Sequence, residues 1–180
     1  MKIVIQNYFF SLVILFIFYT NKNVFGKELI IKNDDDIFNY FYESIQNISD
    51  NEIIIKLVDN YYDMSLLSVF IIDMSVYSNI SFIGNANGTV FDYNEDKKGS
   101  FKVFITKNFS LKFENIIFEN FNTKGYNDLY NILLDTSSDK FNVEFNNCTF
   151  RNNKEQLIGI ASTYTNKVDS QIIFHQCNFL

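Results

Sequence analysis

Three phrases in the second half of the chain alternate apolar and polar residues around a fixed interruption. They are 111–120 (LKFENIIFEN), 143–152 (VEFNNCTFRN) and 172–179 (IIFHQCNF). A weaker relative, 80–84 (ISFIG), precedes them. The first Phe of each phrase marks the period: Phe82, Phe113, Phe145 and Phe174 are 31, 32 and 29 residues apart. A repeat of that length predicts a solenoid, a propeller or an array.

The inner spacing narrows the choice. Leu111 and Phe113 are two apart, as are Ile116 and Phe118, so each pair can face one side of a strand. The step from Phe113 to Ile116 is three, which would send the second pair outward in an unbroken strand. One residue bent into the left-handed region restores the facing, and Asn tolerates that region better than most residues. Gly84, Asn115, Asn147 and Gln176 occupy this place and form a predicted turn ladder. Two short strands meeting at a one-residue corner describe the coils of an all-β parallel β-helix. An antiparallel sandwich is the alternative, but it gives no reason for the odd step. The helix reading lacks apolar positions at 3.6 spacing.

This arrangement predicts three interior stacks: Phe82, Phe113, Phe145 and Phe174; Phe118, Phe150 and Phe179; and Ile116, Cys148 and Cys177. Neighbouring coils lie ~4.8 Å apart, so like side chains pile on like. The two cysteines read as buried free thiols, with a strained disulfide as the alternative, because parallel Cβ vectors do not point at each other.

Upstream, the pattern changes. Ile37, Phe41, Ile45 and Ile48, widened by Phe38 and Tyr42, predict an amphipathic capping helix that starts after Asn33-Asp34-Asp35-Asp36 and ends near Asn51. Residues 29–31 (LII) and 52–58 (EIIIKLV) read as strands, as do 65–76 (SLLSVFIIDMSV). Residues 92–100 (DYNEDKKGS) and 122–128 read as polar loops, and Gly159 as a tight strand position. The last phrase stops at Phe179-Leu180 without a polar cap, which predicts either a truncated gene product or self-association through this uncapped coil.

At the other terminus, 8–19 (YFFSLVILFIFY) is an apolar block behind Lys2. It suits the central region of a secretory signal and falls short of the ~20 residues that span a bilayer. Cleavage before Lys27 is expected, leaving residues 27–180 as one β-helix domain, with a cap over about 28–51 and coils over about 52–180. The alternative is a membrane tether through an uncleaved anchor. Cleavage would remove Lys2 and Lys22 and no acid, taking the net charge from −6 to −8. Secretion also gives meaning to the sequons at Asn47, Asn79, Asn87 and Asn108 as glycosylation candidates. Asn87 is favoured, in an apparent turn. A fifth, at Asn147, falls on the turn ladder, where a stacked side chain leaves little room for a glycan.

Composition adds limits. The chain of 180 residues is 47% hydrophobic, with 21 Phe and 11 Tyr and neither Trp nor Pro. It can therefore build a core, and its strand-formers match the repeat. The acidic charge argues against a nucleic-acid partner. Arg151 is the only arginine and has no acidic cluster near it in sequence, and His175 is the only histidine. No catalytic set, metal set or cofactor motif can be assembled from them.

From about residue 28 onward the chain resembles right-handed parallel β-helix proteins of the pectin-lyase-like superfamily. The helix followed by 52–58, the passage from 80–84 to 88–91 (GTVF), and the three phrases carry the resemblance. Residues 150–153 (FRNN) are similar to the Phe-x-x-Asn of polymorphic outer-membrane repeats, although 158–161 (IGIA) stands where their Gly-Gly-Ala-Ile would be. In style the chain is similar to secreted β-helix proteins of AT-rich eukaryotic microbes such as anaerobic gut fungi. The resemblance implies a fold more than an activity. The expected role is a secreted or surface, non-catalytic protein that contacts carbohydrate or other extracellular proteins, with residues 126–128 (YND) as candidate sugar contacts. The alternative is the N-terminal piece of a polysaccharide lyase or glycoside hydrolase.

Overall fold

A computed structural model of the chain describes residues 26–33, 52–67, 71–105, 109–125, 129–136, 140–154, 156–162 and 171–180. The proposed leader, the capping helix, Asn47, Asn108 and residues 126–128 lie outside these. The first strand is β1 (Lys27–Ile31). Coils of three strands follow: β2 (Glu52–Leu57), β3 (Tyr61–Asp63) and β4 (Ile71–Val76); then β5 (Asn79–Ile83), β6 (Thr89–Asp96) and β7 (Ser100–Ile105). The third coil holds β8 (Ser110–Glu114), β9 (Ile116–Phe121) and β10 (Ile132–Thr136), and the fourth β11 (Asn142–Asn146), β12 (Thr149–Arg151) and β13 (Ile158–Ser162). β14 (Ile172–His175) and β15 (Asn178–Phe179) begin another.

Equivalent strands stack into three sheets. Sheet A has the order β1-β2-β5-β8-β11-β14, sheet B β15-β12-β9-β6-β3, and sheet C β13-β10-β7-β4. Every pairing is parallel. The protein is a parallel β-solenoid of about four turns, and among the described residues no strand runs against its neighbours as a sandwich would require.

The alternation of the sequence sets which side chains enter the tube. In sheet A, Ile55, Phe82, Phe113, Phe145 and Phe174 occupy one register position, 27, 31, 32 and 29 residues apart. The four Phe rings stack nearly flat, with centroids 5.0, 5.2 and 5.0 Å apart. In sheet B, Phe118, Phe150 and Phe179 stack at 5.0 and 5.1 Å. Phe91 and Tyr62 extend this column but meet their neighbours edge-on. The two columns also touch edge to face, as Phe113 and Phe118 do at 5.7 Å. Each flat pair adds roughly 0.5–1.5 kcal/mol beyond the area it buries.

The corner between sheets A and B turns where the three-residue step demanded. Asn115, Asn147 and Gln176 all have left-handed backbones, with φ of 57°, 51° and 53°. Gly84 departs from this ladder and corrects the expectation: its φ is not positive. The turn of that coil is made instead by Asn85 to Gly88, with Gly88 at φ 93° and its N–H donating to the Asn85 carbonyl. Glycine is required at 84 for space, since a Cβ there would lie 2.3 Å from the Asn115 carbonyl oxygen.

Two further expectations are revised and a third holds. Residues 92–100 are not a loop throughout, because β6 runs to Asp96 and β7 starts at Ser100. Residues 64–66 form a 3-10 turn, capped by the Asp63 side chain accepting from the Ser65 N–H, so residues 65 and 66 are not strand, and β4 spans Ile71–Val76. Lastly, Gly159 sits in β13 where a Cβ would fall 2.6 Å from the Tyr130 ring. That aromatic cover is the reason for the tight position.

Candidate binding face on sheet B

Because side chains alternate, the residues flanking the inward Phe column of sheet B must face out. The register aligns Asp63, Asp92, Glu119 and Arg151 in one row across β3, β6, β9 and β12. Tyr61, Val90, Ile117 and Thr149 form a parallel row two residues earlier. The strand spacing therefore sets three carboxylates and a guanidinium at intervals of ~4.8 Å. Arg151, which stands apart from acids in sequence, is not isolated: its Nε donates to Glu119, which is buried beneath it.

Asp92 sits at the centre of this face. Its Oδ2 accepts from the Tyr61 hydroxyl at 3.0 Å, and its Oδ1 accepts from the Asn120 amide at 2.8 Å and the Asn94 N–H at 2.8 Å. Tyr61 is half exposed, and its phenol is pushed up to about 12. Partial desolvation is the main cause, followed by the bond to Asp92 and the charges of Asp92, Asp63 and Glu119. Asp63 turns its Oδ1 to Ser65, accepting from both N–H and hydroxyl.

A second set of charges lies where β6 leaves the sheet. Glu95 accepts from Lys154 at 2.7 Å and from Asn122 at 3.0 Å, which hold its carboxyl below the usual range. Asp96 is pushed up by burial. The N–H groups of Lys97 and Lys98 and the Lys124 ammonium outweigh this and bring it down. The left-handed backbones of Asn94 and Glu95 break the register of β6 here and aim these groups outward.

The remaining candidate residues fall elsewhere. Cys148 is buried and Cys177 partly exposed, both as free thiols at the corner between sheets A and B. Each Sγ donates to a carbonyl of the preceding coil, Cys148 to Phe113 and Cys177 to Phe145. Asn87 is exposed in its turn, while exposed Asn79 accepts from the N–H and hydroxyl of Ser110, 3.0 Å each. His175 is exposed on β14. Among the described residues, no three His, Cys, Asp or Glu side chains are grouped to hold a metal ion, and no helix is long and apolar enough to cross a membrane.

The outward row had a sequence signal that the three phrases hide. The pairs Tyr62-Asp63, Phe91-Asp92, Phe118-Glu119 and Phe150-Arg151 repeat an inward ring followed by a charge. Extending the repeat upstream through Tyr62 and Phe91 exposes it. No protein family, no curated protein and no solved structure matches this chain.

Proposed function

We propose that the chain is a secreted or cell-surface, non-catalytic β-helix of the right-handed, pectin-lyase-like kind, which binds carbohydrate through the outer face of sheet B. The observation that carries this reading is the row of Asp63, Asp92, Glu119 and Arg151 beside the half-exposed Tyr61. Such a face offers hydrogen-bond acceptors and a cation at a regular spacing, next to an aromatic ring that can pack on a sugar. Right-handed connection between parallel strands of one sheet is the strong general rule, which supports that hand. Its net charge of −6 favours neutral or basic glycans over acidic ones. A glycan array with the purified chain tests the reading, with Tyr61→Ala and Asp92→Asn as controls. Binding to a neutral glycan that both variants weaken supports it, and an array without hits refutes it.

A polysaccharide lyase or hydrolase fragment is the second reading, favoured by the pairing of Arg151 with Glu119 on the same face as Asp92. Elimination chemistry needs carboxylates and a basic group together. Calcium-dependent release of unsaturated or reducing ends from pectin or alginate would support it against the binding reading.

For a protein partner, the exposed rings of Phe174 and Phe179, each stacked on the coil below, suit another coil of the same repeat. Self-association through them predicts a mass above the monomer in light scattering, reduced by Phe179→Asp.

A further inference from the structure

Cys148 and Cys177 occupy one position of successive coils. The residues that follow them are in register, Thr149 with Asn178 and Phe150 with Phe179, and the Asn178 N–H donates to the Cys148 carbonyl at 3.0 Å. On the other side, the Asn147 N–H donates to the His175 carbonyl at 2.8 Å. The backbone is therefore aligned on both sides of the pair. Phe145 and Phe150 bracket Cys148 as Phe174 and Phe179 bracket Cys177, and these rings step from one coil to the next by 5.0 and 5.1 Å.

The two side chains also share one orientation. Cys148 Sγ donates to the Phe113 carbonyl of the preceding coil and to the Asn146 carbonyl two residues back, each at 3.5 Å. Cys177 Sγ donates to the Phe145 and His175 carbonyls in the same way, at 3.1 and 3.4 Å. Phe113 and Phe145 are themselves register partners, so the second thiol is the first one moved along by a coil. The sulfurs are thus held about one strand spacing apart, ~4.8 Å.

That separation decides what the pair can hold. It is more than twice the ~2.05 Å of a disulfide bond. It is close to two thiolate–metal bonds of ~2.3 Å laid end to end. Zinc and iron–sulfur clusters call for four ligands, whereas copper(I), the other ion that thiolates select, is satisfied by two in a line. Among the described residues, no third His, Cys, Asp or Glu joins the pair, and the preceding coil places Ile116 in this column. Cys177 is partly exposed and gives an ion its way to Cys148, which is buried below it.

We infer that Cys148 and Cys177 form a two-coordinate site for copper(I), with the ion on the line between the two sulfurs. On binding, both S–H bonds break and two S–Cu bonds form. The two protons pass to solvent, the bis-thiolate complex carries one negative charge, and no electron is transferred. The ion staples the corner between β14 and β15 to the corner between β11 and β12.

The test titrates the reduced chain under nitrogen with copper(I), supplied as its acetonitrile complex. One ion should bind per chain and release two protons into a weakly buffered solution, and X-ray absorption should count two sulfur neighbours of the copper. Cys148→Ser and Cys177→Ser should each weaken binding by more than ~100-fold, beyond what loss of an outer-shell partner costs. One sulfur neighbour with one released proton would mean that Cys177 acts alone, and it overturns the proposal. A third sulfur neighbour, or one ion shared by two chains, overturns it too, because the ion then bridges molecules. So does binding that either variant retains at full strength. Should Cys148→Ser not fold, Cys177→Ser decides together with the sulfur count.

Discussion

Asn147 donates its side-chain amide to the side-chain oxygen of Asn115 across 2.8 Å, and both residues hold a left-handed backbone. The two are 32 residues apart and occupy the same corner of successive coils. One residue type thus does two jobs there. It accepts a backbone conformation that others resist, and it bonds to its counterpart on the coil below.

Those two jobs can be separated by substitution. Asn147→Ala should lower stability by about 1–2 kcal/mol, because an ordinary residue in the left-handed region costs that much. Asn147→Gly should recover most of the loss, since glycine enters that region freely and forfeits only the exposed amide bond. Urea midpoints of the two variants check this, and equal losses would show that the amide bond, not the backbone, matters at this corner.

How far the sequence revealed the fold follows from this corner. The odd step between Phe113 and Ile116 makes a bend at Asn115 readable, because any straight strand would expose one of the two apolar pairs. Gly84 misleads for a local reason: aligning it with Asn115 conceals the extra turn residues Asn85 to Gly88 that follow. Sheet C is hard to see because its strands share no phrase; 132–136 (ILLDT) and 158–162 (IGIAS) agree only in their register. The acidic row was hidden because Asp63, Asp92 and Glu119 are separated by 29 and 27 residues, and the row changes sign at Arg151. Sheet register brings them together, and the sequence shows it only through the ring-and-charge pairs once Tyr62-Asp63 and Phe91-Asp92 are added to the repeat.

The ring columns should show a sharp gradient along the solenoid. Phe145 is wholly buried between Phe113 and Phe174, whereas Phe179 is 55% exposed at the end of its column. Phe145→Ala removes a packed ring from between two others and should cost about 3–5 kcal/mol. Phe179→Ala removes a ring with one free face and should cost under ~1.5 kcal/mol, less than the burial of a whole side chain. Chemical denaturation measures both, and a Phe179 effect as large as that of Phe145 would mean that its open face is covered in solution.

Passage through a secretory pathway should glycosylate the sequons unequally. The nitrogen that would carry a glycan on Asn147, although exposed, is already donated to the side-chain oxygen of Asn115 on the preceding coil. Asn87 stands exposed in a turn closed by the Gly88 N–H on the Asn85 carbonyl. Glycopeptide mass spectrometry of the secreted protein should find occupancy at Asn87 and none at Asn147. A glycan on Asn147 would show that modification precedes closure of the corner.

Tyr61 and Asp92 link the proposed face to alkaline pH. The Tyr61 phenol, pushed up to about 12, keeps its proton in the folded chain where an unfolded tyrosine, near 10, has lost it. The folded state therefore binds more protons between those values. Its contribution to stability is full below about pH 10 and lost as pH rises toward about 12. Carbon-13 spectra of ring-labelled tyrosine should show the Tyr61 signal still protonated when exposed tyrosines have titrated. Asp92→Asn removes the negative acceptor and should bring the titration down part of the way, since desolvation, the main cause, remains. An unchanged titration in that variant would show that the Tyr61–Asp92 bond does not persist in solution.

The two thiols should separate by reactivity. Burial pushes the Cys148 thiol up to about 12, so at neutral pH almost none of it is the thiolate that attacks a disulfide reagent. Cys177 sits at the matching corner one coil later, only partly buried, and its thiol reaches the Phe145 carbonyl at 3.1 Å. Native protein mixed with an aromatic disulfide reagent should release about one equivalent quickly and a second only after urea is added. Cys177→Ser should abolish the fast phase and leave the slow one. The strand geometry argues against a bond between the two, because side chains stacked in register point the same way and each thiol is turned toward a carbonyl of the preceding coil. Two equivalents that appear only after reduction would overturn this and place a strained disulfide at the corner.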